Sequence, residues 1–297
     1  MPQDNPADSQ KETSISQDEA QGAGADSPHL DEGEQDQAAD HSSPHALVIH
    51  EIVREEGETA LERTSIALTW SALAAGLSMG FSFLTMAVIR AALPDATWAP
   101  LLASFGYSIG FVIVVLGKQQ LFTESTLTVI LPVLVRRDVK TLLGALRVWG
   151  IVLPVNLVGT AIFAWLLSVP DLFEAPVIDA MHTIARDTVA HSFGITFLKA
   201  LFAGWLIALM VWLLPSARHA RLLVIILITY VVSITKLSHI IAGSVESIFG
   251  VINGDVSMKA YLLHFLLPTL LGNIVGGISL VGLLNHAAIA PEIRDVA

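Results

Sequence analysis

The 297-residue sequence is 53% hydrophobic and only 14% charged, with a mean hydropathy of +0.64, which excludes an ordinary soluble globular domain. It has no cysteine, which excludes disulfides, thiolate metal sites and cysteine nucleophiles. The net charge of −11 sits at one end: residues 1–62 hold sixteen of the 27 acidic residues against Lys11 and Arg54, so the remainder is mildly basic and suits an anionic solute better than a cationic one.

Residues 1–44 are rich in Asp, Glu, Gln, Ser, Ala and Gly and almost free of branched apolar residues. Such a segment buries too little surface to offset the entropy of ordering, which predicts a disordered acidic cytoplasmic tail. The first 45 residues contain no apolar core segment of a cleavable signal. Over residues 45–63, Leu47, Val48, Ile52, Val53 and Leu61 alternate with Glu51, Arg54, Glu55, Glu56, Glu58 and Glu62. That pattern predicts an amphipathic helix leading into a membrane domain at residues 64–288, followed by a short cytoplasmic tail at 289–297.

Six apolar stretches follow, each near the roughly 20 residues a helix needs to cross a bilayer. They are residues 65–93, 100–135, 141–169, 192–214, 222–252 and 261–287. The second is too long for one straight helix and is interrupted by Gly117-Lys118-Gln119-Gln120; the fifth is interrupted by Lys236-Leu237-Ser238-His239. Arg136, Arg137, Lys140 and Arg147 follow the second stretch, and Arg218 and Arg221 follow the fourth. The opposite loops carry mostly carboxylates, so both termini are expected on the cytoplasmic side.

Six spans with the second and fifth broken divide into two halves of three. An odd number of spans per half makes the second half inverted relative to the first. Irregular backbone at membrane depth is tolerated only where it is buried in protein or lines a water-filled cavity, so the pattern points to a pore or carrier. The fold class expected is an all-α membrane protein of two inverted three-helix repeats.

The chemistry-bearing residues gather at the two interruptions. Thr123, Glu124, Ser125, Thr126 and Thr128 supply polar groups around the second break, and Phe122 is suited to a constriction. In the fifth stretch His239 is able to donate to an anion or exchange a proton with it near neutral pH. Val232, Thr235, Lys236 and Glu246 fall on its helical face, and Ser238 precedes it. Lys199, Lys236 and Lys118 are bases able to draw an anion into a vestibule. Glu246 is read as a partner for Lys236 or Lys199. Gly76 and Gly80, Gly106 and Gly110, and Gly272 and Gly276 have the four-residue spacing of close helix packing. Asn273, between Gly272 and Ile274, is a buried amide suited to bonding broken-helix backbone.

These motifs resemble the formate/nitrite transporter family: Gly76-Leu77-Ser78-Met79-Gly80, Leu121-Phe122-Thr123-Glu124-Ser125-Thr126, Asn156-Leu157-Val158-Gly159, His239-Ile240-Ile241-Ala242 and Gly272-Asn273-Ile274-Val275-Gly276-Gly277. They occur in family order between residues 65 and 287, and within the family the chain is most similar to a divergent branch of bacterial inner-membrane proteins. The resemblance implies an aquaporin-like protomer assembled as a homopentamer in the inner membrane, with one pore per subunit and no cofactor. It makes His239 the central pore histidine, Thr123 the threonine of the loop breaking the second helix, and Phe122 the adjacent constriction. A small monovalent anion such as formate or nitrite is then expected to enter a positive vestibule and to cross at least partly as its neutral acid. The sequence departs from the family pattern with Ser238 in place of a glutamate, Gly243 in place of an asparagine, and His191 and Ser192 where a vestibule lysine is usual.

An alternative reading is a conduit for a small neutral solute. An enzyme is not expected: the sequence has no His-Glu-x-x-His pair and no Gly-x-Ser-x-Gly elbow, and Lys236, Ser238 and His239 cannot converge from one regular helix. No metal and no nucleic-acid partner is expected.

Overall fold

A computed structural model describes residues 27–41 and 44–294. They fall into two compact units, one ending at Glu51 and one beginning at Ile52. In the first unit, α1 (Glu32–His41) lies inside the stretch expected to be irregular. Its start is a reciprocal cap: the Glu34 N–H donates to Asp31 Oδ1 at 2.8 Å and the Asp31 N–H to Glu34 Oε2 at 3.1 Å. The rest of the tail expectation, residues 1–26 and 42–43, lies outside the described residues, as do 295–297 of the expected C-terminal tail.

Helix α2 (Ala46–Glu62) carries the chain into the second unit. There Glu58 is shared by Arg54 at 2.5 Å and Arg136 at 2.8 Å, and Lys118 meets Glu56 at 2.7 Å. Arg147 donates to the carbonyls of Leu61 and Arg63, which closes the otherwise unpaired end of α2. The Thr64 hydroxyl then accepts from the Ala67 N–H and starts the next helix.

The helices that follow are α3 (Ser65–Ala92), α4 (Ala99–Leu116), α5 (Phe122–Thr128), α6 (Ile130–Arg136) and α7 (Val139–Leu167). Then come α8 (Ala175–Thr188), α9 (Phe193–Leu213), α10 (Arg221–Ile234) and α11 (Ile240–Ile252). The last, α12 (Met258–Ile289), opens into wider π turns over Tyr261–Leu266 and Gly276–Leu283. Among the described residues, five helices are long and apolar enough to cross a membrane: α3, α4, α7, α9 and α12. The fifth expected stretch, 222–252, is divided between α10 and α11, of 14 and 13 residues. At 1.5 Å per residue these reach about 21 Å and about 20 Å, so neither alone covers a hydrocarbon core of about 30 Å.

Packing joins the two halves of the chain. Helix α3 lies against α4 and α7, and α9 against α12, while the short α5 packs on α9 and α12 and the short α11 packs on α3, α7 and α8. Phe111, Phe122, Met79, Val148, Ile207 and Ile240 form a buried core where the halves meet. Two of the spaced glycines permit this closeness: a Cβ on Gly106 would stand 2.5 Å from Met86 N, and one on Gly110 would stand 2.4 Å from Ser82 Oγ. Outward-facing Phe105, Ile109, Leu143 and Trp165 stay exposed on the single chain, a surface suited to lipid or neighbouring copies.

Helix α8 was not foreseen. It is a 14-residue amphipathic helix whose Met181, Ala180 and Ala185 pack beside Phe83, Val245 and Phe249. His182 and Arg186 on α8 both engage Asp255, the latter at 2.8 Å, and tie α8 to the loop after α11.

Candidate functional site

The same backbone device ends α4 and α10. After α4 the Lys118 N–H donates to the Val115 carbonyl and the Gln119 N–H to that of Val114; after α10 the Lys236 N–H donates to the Ser233 carbonyl and the Leu237 N–H to that of Val232. Lys118 and Lys236 both take the left-handed conformation, at φ 50° and φ 49°. That conformation is unfavourable for a residue with a Cβ and turns the chain sharply out of the helix.

An asparagine secures each interruption. Asn156 on α7 accepts from the Phe122 N–H at 2.9 Å and donates to the carbonyls of Ala72 at 2.7 Å and Gln120 at 3.1 Å. Asn273 on α12 accepts from the Ile240 N–H at 2.9 Å and donates to the carbonyls of Ala200 at 2.8 Å and Ser238 at 2.9 Å. Both amides are fully buried, and each satisfies backbone groups that the interruption leaves without helical partners. Close approach by a neighbouring helix also repeats. A Cβ on Gly76 would stand 2.3 Å from the Asn156 carbonyl oxygen, and one on Gly204 would stand 2.4 Å from that of Asn273.

His239, 1% exposed, is the residue just before α11. Its Nδ1 accepts from the Ala242 N–H at 3.2 Å and so caps the helix. The proton of the neutral imidazole is thereby assigned to Nε2, which donates to Thr123 Oγ1 at 2.8 Å. Phe111 meets the imidazole edge-on, with centroids 5.0 Å apart. Thr123 comes from α5, so the bond joins the element after one interruption to the residue ending the other. Phe122 is buried against Trp149, with ring centroids 5.9 Å apart, and the Trp149 Nε1–H donates to the Ser125 carbonyl.

A cavity of about 770 Å³ opens onto His239, with Lys199, Lys236 and Ser238 also in its wall. Val232 and Asn273 do not line it; the Val232 side chain belongs to the buried core. The wall is not the positive funnel that the sequence resemblance implies. Its bases are Arg90, Lys199 and Lys236, and its carboxyl groups are Asp95, Asp179, Asp187 and Glu246. Arg90 is paired with Asp95 at 2.5 Å and Lys236 with Asp187 at 3.0 Å.

Lys199 stands apart, donating to His191 Nε2 at 2.7 Å. Burial, and then the Lys199 and Lys236 ammonium groups, hold the His191 imidazole below its ordinary pKa, against an opposing pull from Asp187. A neutral His191 keeps the lone pair that receives the lysine. Glu246 pairs with neither lysine, contrary to the sequence expectation; its Oε2 lies 2.6 Å from Thr188 Oγ1 on α8.

Sequence reasoning missed the part played by Asn156, although the repeat Asn156-Leu157-Val158-Gly159 and Asn273-Ile274-Val275-Gly276 signals it. It also missed Tyr107, Asp179, Asp187 and Thr188 as cavity residues, because three of them come from the unforeseen α8.

Residues 47–287 match the family described as formate/nitrite transporter. The chain is 40% identical over 250 residues to the inner membrane protein YfdC of Escherichia coli K12, covering 84% of this chain and 81% of that protein. It is 22% identical over 240 residues to a formate channel of Bacillus thuringiensis, covering 79% and 91%. Among solved structures, it resembles a pentameric formate channel with formate bound, at a TM-score of 0.63 and 22% identity, covering 78% of this chain and 98% of that one.

Proposed function

Because the chain belongs to the formate/nitrite transporter family, whose members are channels and transporters rather than enzymes, we propose that it conducts small monovalent anions across a bacterial inner membrane. The observation that carries this reading is His239. It is buried at an interruption between two short helices, bonded across the molecule to Thr123, and open to the cavity on one side. Buried imidazole and hydroxyl groups at irregular backbone serve solute passage better than stability, since each must be desolvated and re-bonded.

In this reading α10 and α11 are one broken fifth span, and α4, α5 and α6 together form a broken second span. The matched lysine turns and the matched Asn156 and Asn273 bonds support two inverted three-helix repeats and an aquaporin-like protomer. The protomer assembles as a homopentamer in the lipid bilayer, as the related formate channel does, with a pore in each subunit. Both termini lie in the cytoplasm, on the side where Arg136, Arg137 and Arg147 cluster. Before them come an acidic tail over residues 1–44 and the amphipathic helix of 45–63.

Each site residue has a role. Lys199, the cavity base without a carboxylate partner, draws the anion in, while Lys236 is largely offset by Asp187. Ser238 and Thr123 supply hydrogen bonds on either side of the imidazole. The Nε2–H of His239 donates to the solute as it displaces Thr123. Phe122 is the apolar constriction beyond, Val232 sits behind the break and accepts from Leu237, and Asn273 fixes the backbone that presents Ser238.

The mixed charge of the cavity wall favours one second reading, a conduit for a small neutral solute. Uptake by proteoliposomes separates the two. The anion reading predicts entry of formate or nitrite that is faster at about pH 5.5 than at about pH 7.5, the span over which imidazole chemistry and proton-linked entry differ. Entry of glycerol alone would establish the neutral conduit instead.

A further inference from the structure

Glu246 is a buried carboxyl group of the cavity wall to which the proposed pathway gives no task, and its surroundings favour the neutral acid. Thr188 Oγ1 lies 2.9 Å from the Ile184 carbonyl oxygen, one helical turn back on α8, and 2.6 Å from Glu246 Oε2. A threonine hydroxyl has one hydrogen, and a carbonyl oxygen can only accept. When the hydroxyl hydrogen satisfies Ile184, the contact with Glu246 requires a second hydrogen, which the carboxyl group must carry.

Among the described residues, none of the three bases in the wall makes an ion pair with Glu246. Arg90 on α3 is paired with Asp95, and Lys236 with Asp187, the residue next to Thr188. Lys199 is bonded to His191. Tyr107 on α4 and Asp179 on α8 add no positive charge, and Tyr261 on α12 reaches Ser244 at 3.3 Å. Glu246 itself is 7% exposed. A buried ionised carboxylate with no cation in contact with it would be costly, whereas the neutral acid completes the hydrogen count.

Its position gives the proton a use. Glu246 lies seven residues beyond His239 along α11, two turns on the same face, or about 10 Å. A solute in the cavity reaches both groups.

We propose that Glu246 is a protonated acid in the cavity wall that hands its proton to an entering weak-acid anion, so that His239 meets the neutral acid. The inference rests on the anion reading above and adds the proton source. In the step, the O–H bond of the Glu246 carboxyl breaks and a new O–H bond forms on the anion, leaving Glu246 as a carboxylate and the solute uncharged. A proton from the bulk solution, relayed by water in the cavity, then restores the Glu246 carboxyl group. The substrate class is the conjugate base of a small weak acid, which separates nitrite from nitrate.

Two measurements on the purified full-length protein test this. Infrared difference spectra of wild type against Glu246→Gln at neutral pH report the acid directly. The carbonyl stretch of a protonated carboxyl group present in wild type and missing from the variant is the expected result, and its absence from wild type overturns the proposal whatever the protein transports. Nitrite uptake into proteoliposomes then reports its use. Glu246→Gln should be slowed by about tenfold or more at neutral pH, and much less at about pH 5.5 where bulk protons are abundant, with Glu246→Asp recovering part of the rate. An unchanged pH profile, or a rate that rises when the carboxyl is removed, contradicts the proposal and makes Glu246 a structural group or an electrostatic barrier. Wild-type vesicles closed to every anion would sink the anion reading and the transfer step with it, while the infrared band still reports whether the acid exists.

Discussion

At the scale of single residues, the site is held by hydrogen bonds that cross long stretches of sequence. Thr123 and His239 are 116 positions apart and share one bond of 2.8 Å. Such a bond is worth about 1 kcal/mol, which corresponds to roughly fivefold in a rate that depends on it. Thr123→Ala should therefore slow anion uptake by about that factor, and Thr123→Ser, which keeps the hydroxyl, should recover most of it. Equal loss in both variants would mean that the methyl group matters and the bond does not.

The two cavity lysines make a second comparison. Lys236 is paired with a carboxylate and Lys199 with a neutral imidazole, so Lys199→Gln should slow anion uptake more than Lys236→Gln. The sign of the pH effect follows from the lowered pKa of His191. The Lys199 contact is intact above the ordinary histidine range and is lost as pH falls through the shifted value. Removing the lysine charge in Lys199→Gln should raise the His191 midpoint, read by NMR of the labelled imidazole; a midpoint that stays put or falls contradicts the pairing. His239 was legible in the sequence because an imidazole inside an apolar run is costly enough to need a reason. The partners of Glu246 and Lys199 were not, because pairing depends on where α8 and the following loop lie, and sequence distance carries no information on that.

At the scale of elements, the interruptions hold their shape because an asparagine replaces the missing helical partners. Asn156→Leu or Asn273→Leu removes three hydrogen bonds in a buried setting and leaves backbone groups unpaired. Each should destabilise the protein by about 2–4 kcal/mol, seen as a lower thermal midpoint in detergent, and a change near zero would show that water substitutes freely for the amide. The glycines give a paired test. Gly76→Ala places a Cβ 2.3 Å from the Asn156 carbonyl oxygen, whereas Gly150 has nothing within 4 Å of the same position. Overpacking should cost the first about 1–3 kcal/mol, while Gly150→Ala, within α7, should be neutral or stabilising by helix propensity. Matching midpoints in the two variants would mean that α3 and α7 separate without penalty.

The long apolar helices were legible because twenty-odd residues without charge admit few other fates. Helix α8 was not, because 14 amphipathic residues with Asp179, His182, Arg186 and Asp187 read equally well as a polar loop. Asn156 and Asn273 were legible only in part. Their shared Asn-x-Val-Gly or Asn-x-x-Gly context marks a repeat, but only the folded chain brings each amide to the opposite end of an interruption.

At the scale of the whole molecule, the charge that dominates the sequence is not the charge that the solute meets. The acidic residues concentrate before residue 63, while the cavity wall sets three bases against four carboxyl groups and pairs most of them. Selectivity in this account comes from a few desolvated groups around His239 and not from a general positive field, because paired charges in a wide vestibule offset one another. The exposed apolar rows on α4 and α7 are surfaces suited to lipid or to neighbouring copies.

The measurement that tests the central claim most directly is formate uptake by proteoliposomes holding equal amounts of wild type and His239→Asn, each checked to be the same oligomer. Asparagine is able to cap α11 through its Oδ1, but it is too short to place a donor at the Nε2 position and cannot exchange a proton. The account predicts that wild-type uptake is rapid and faster in acid, and that the variant loses most of that uptake and its acid dependence. Undiminished uptake by His239→Asn with the same pH profile would contradict it and move the pathway away from the interruption between α10 and α11.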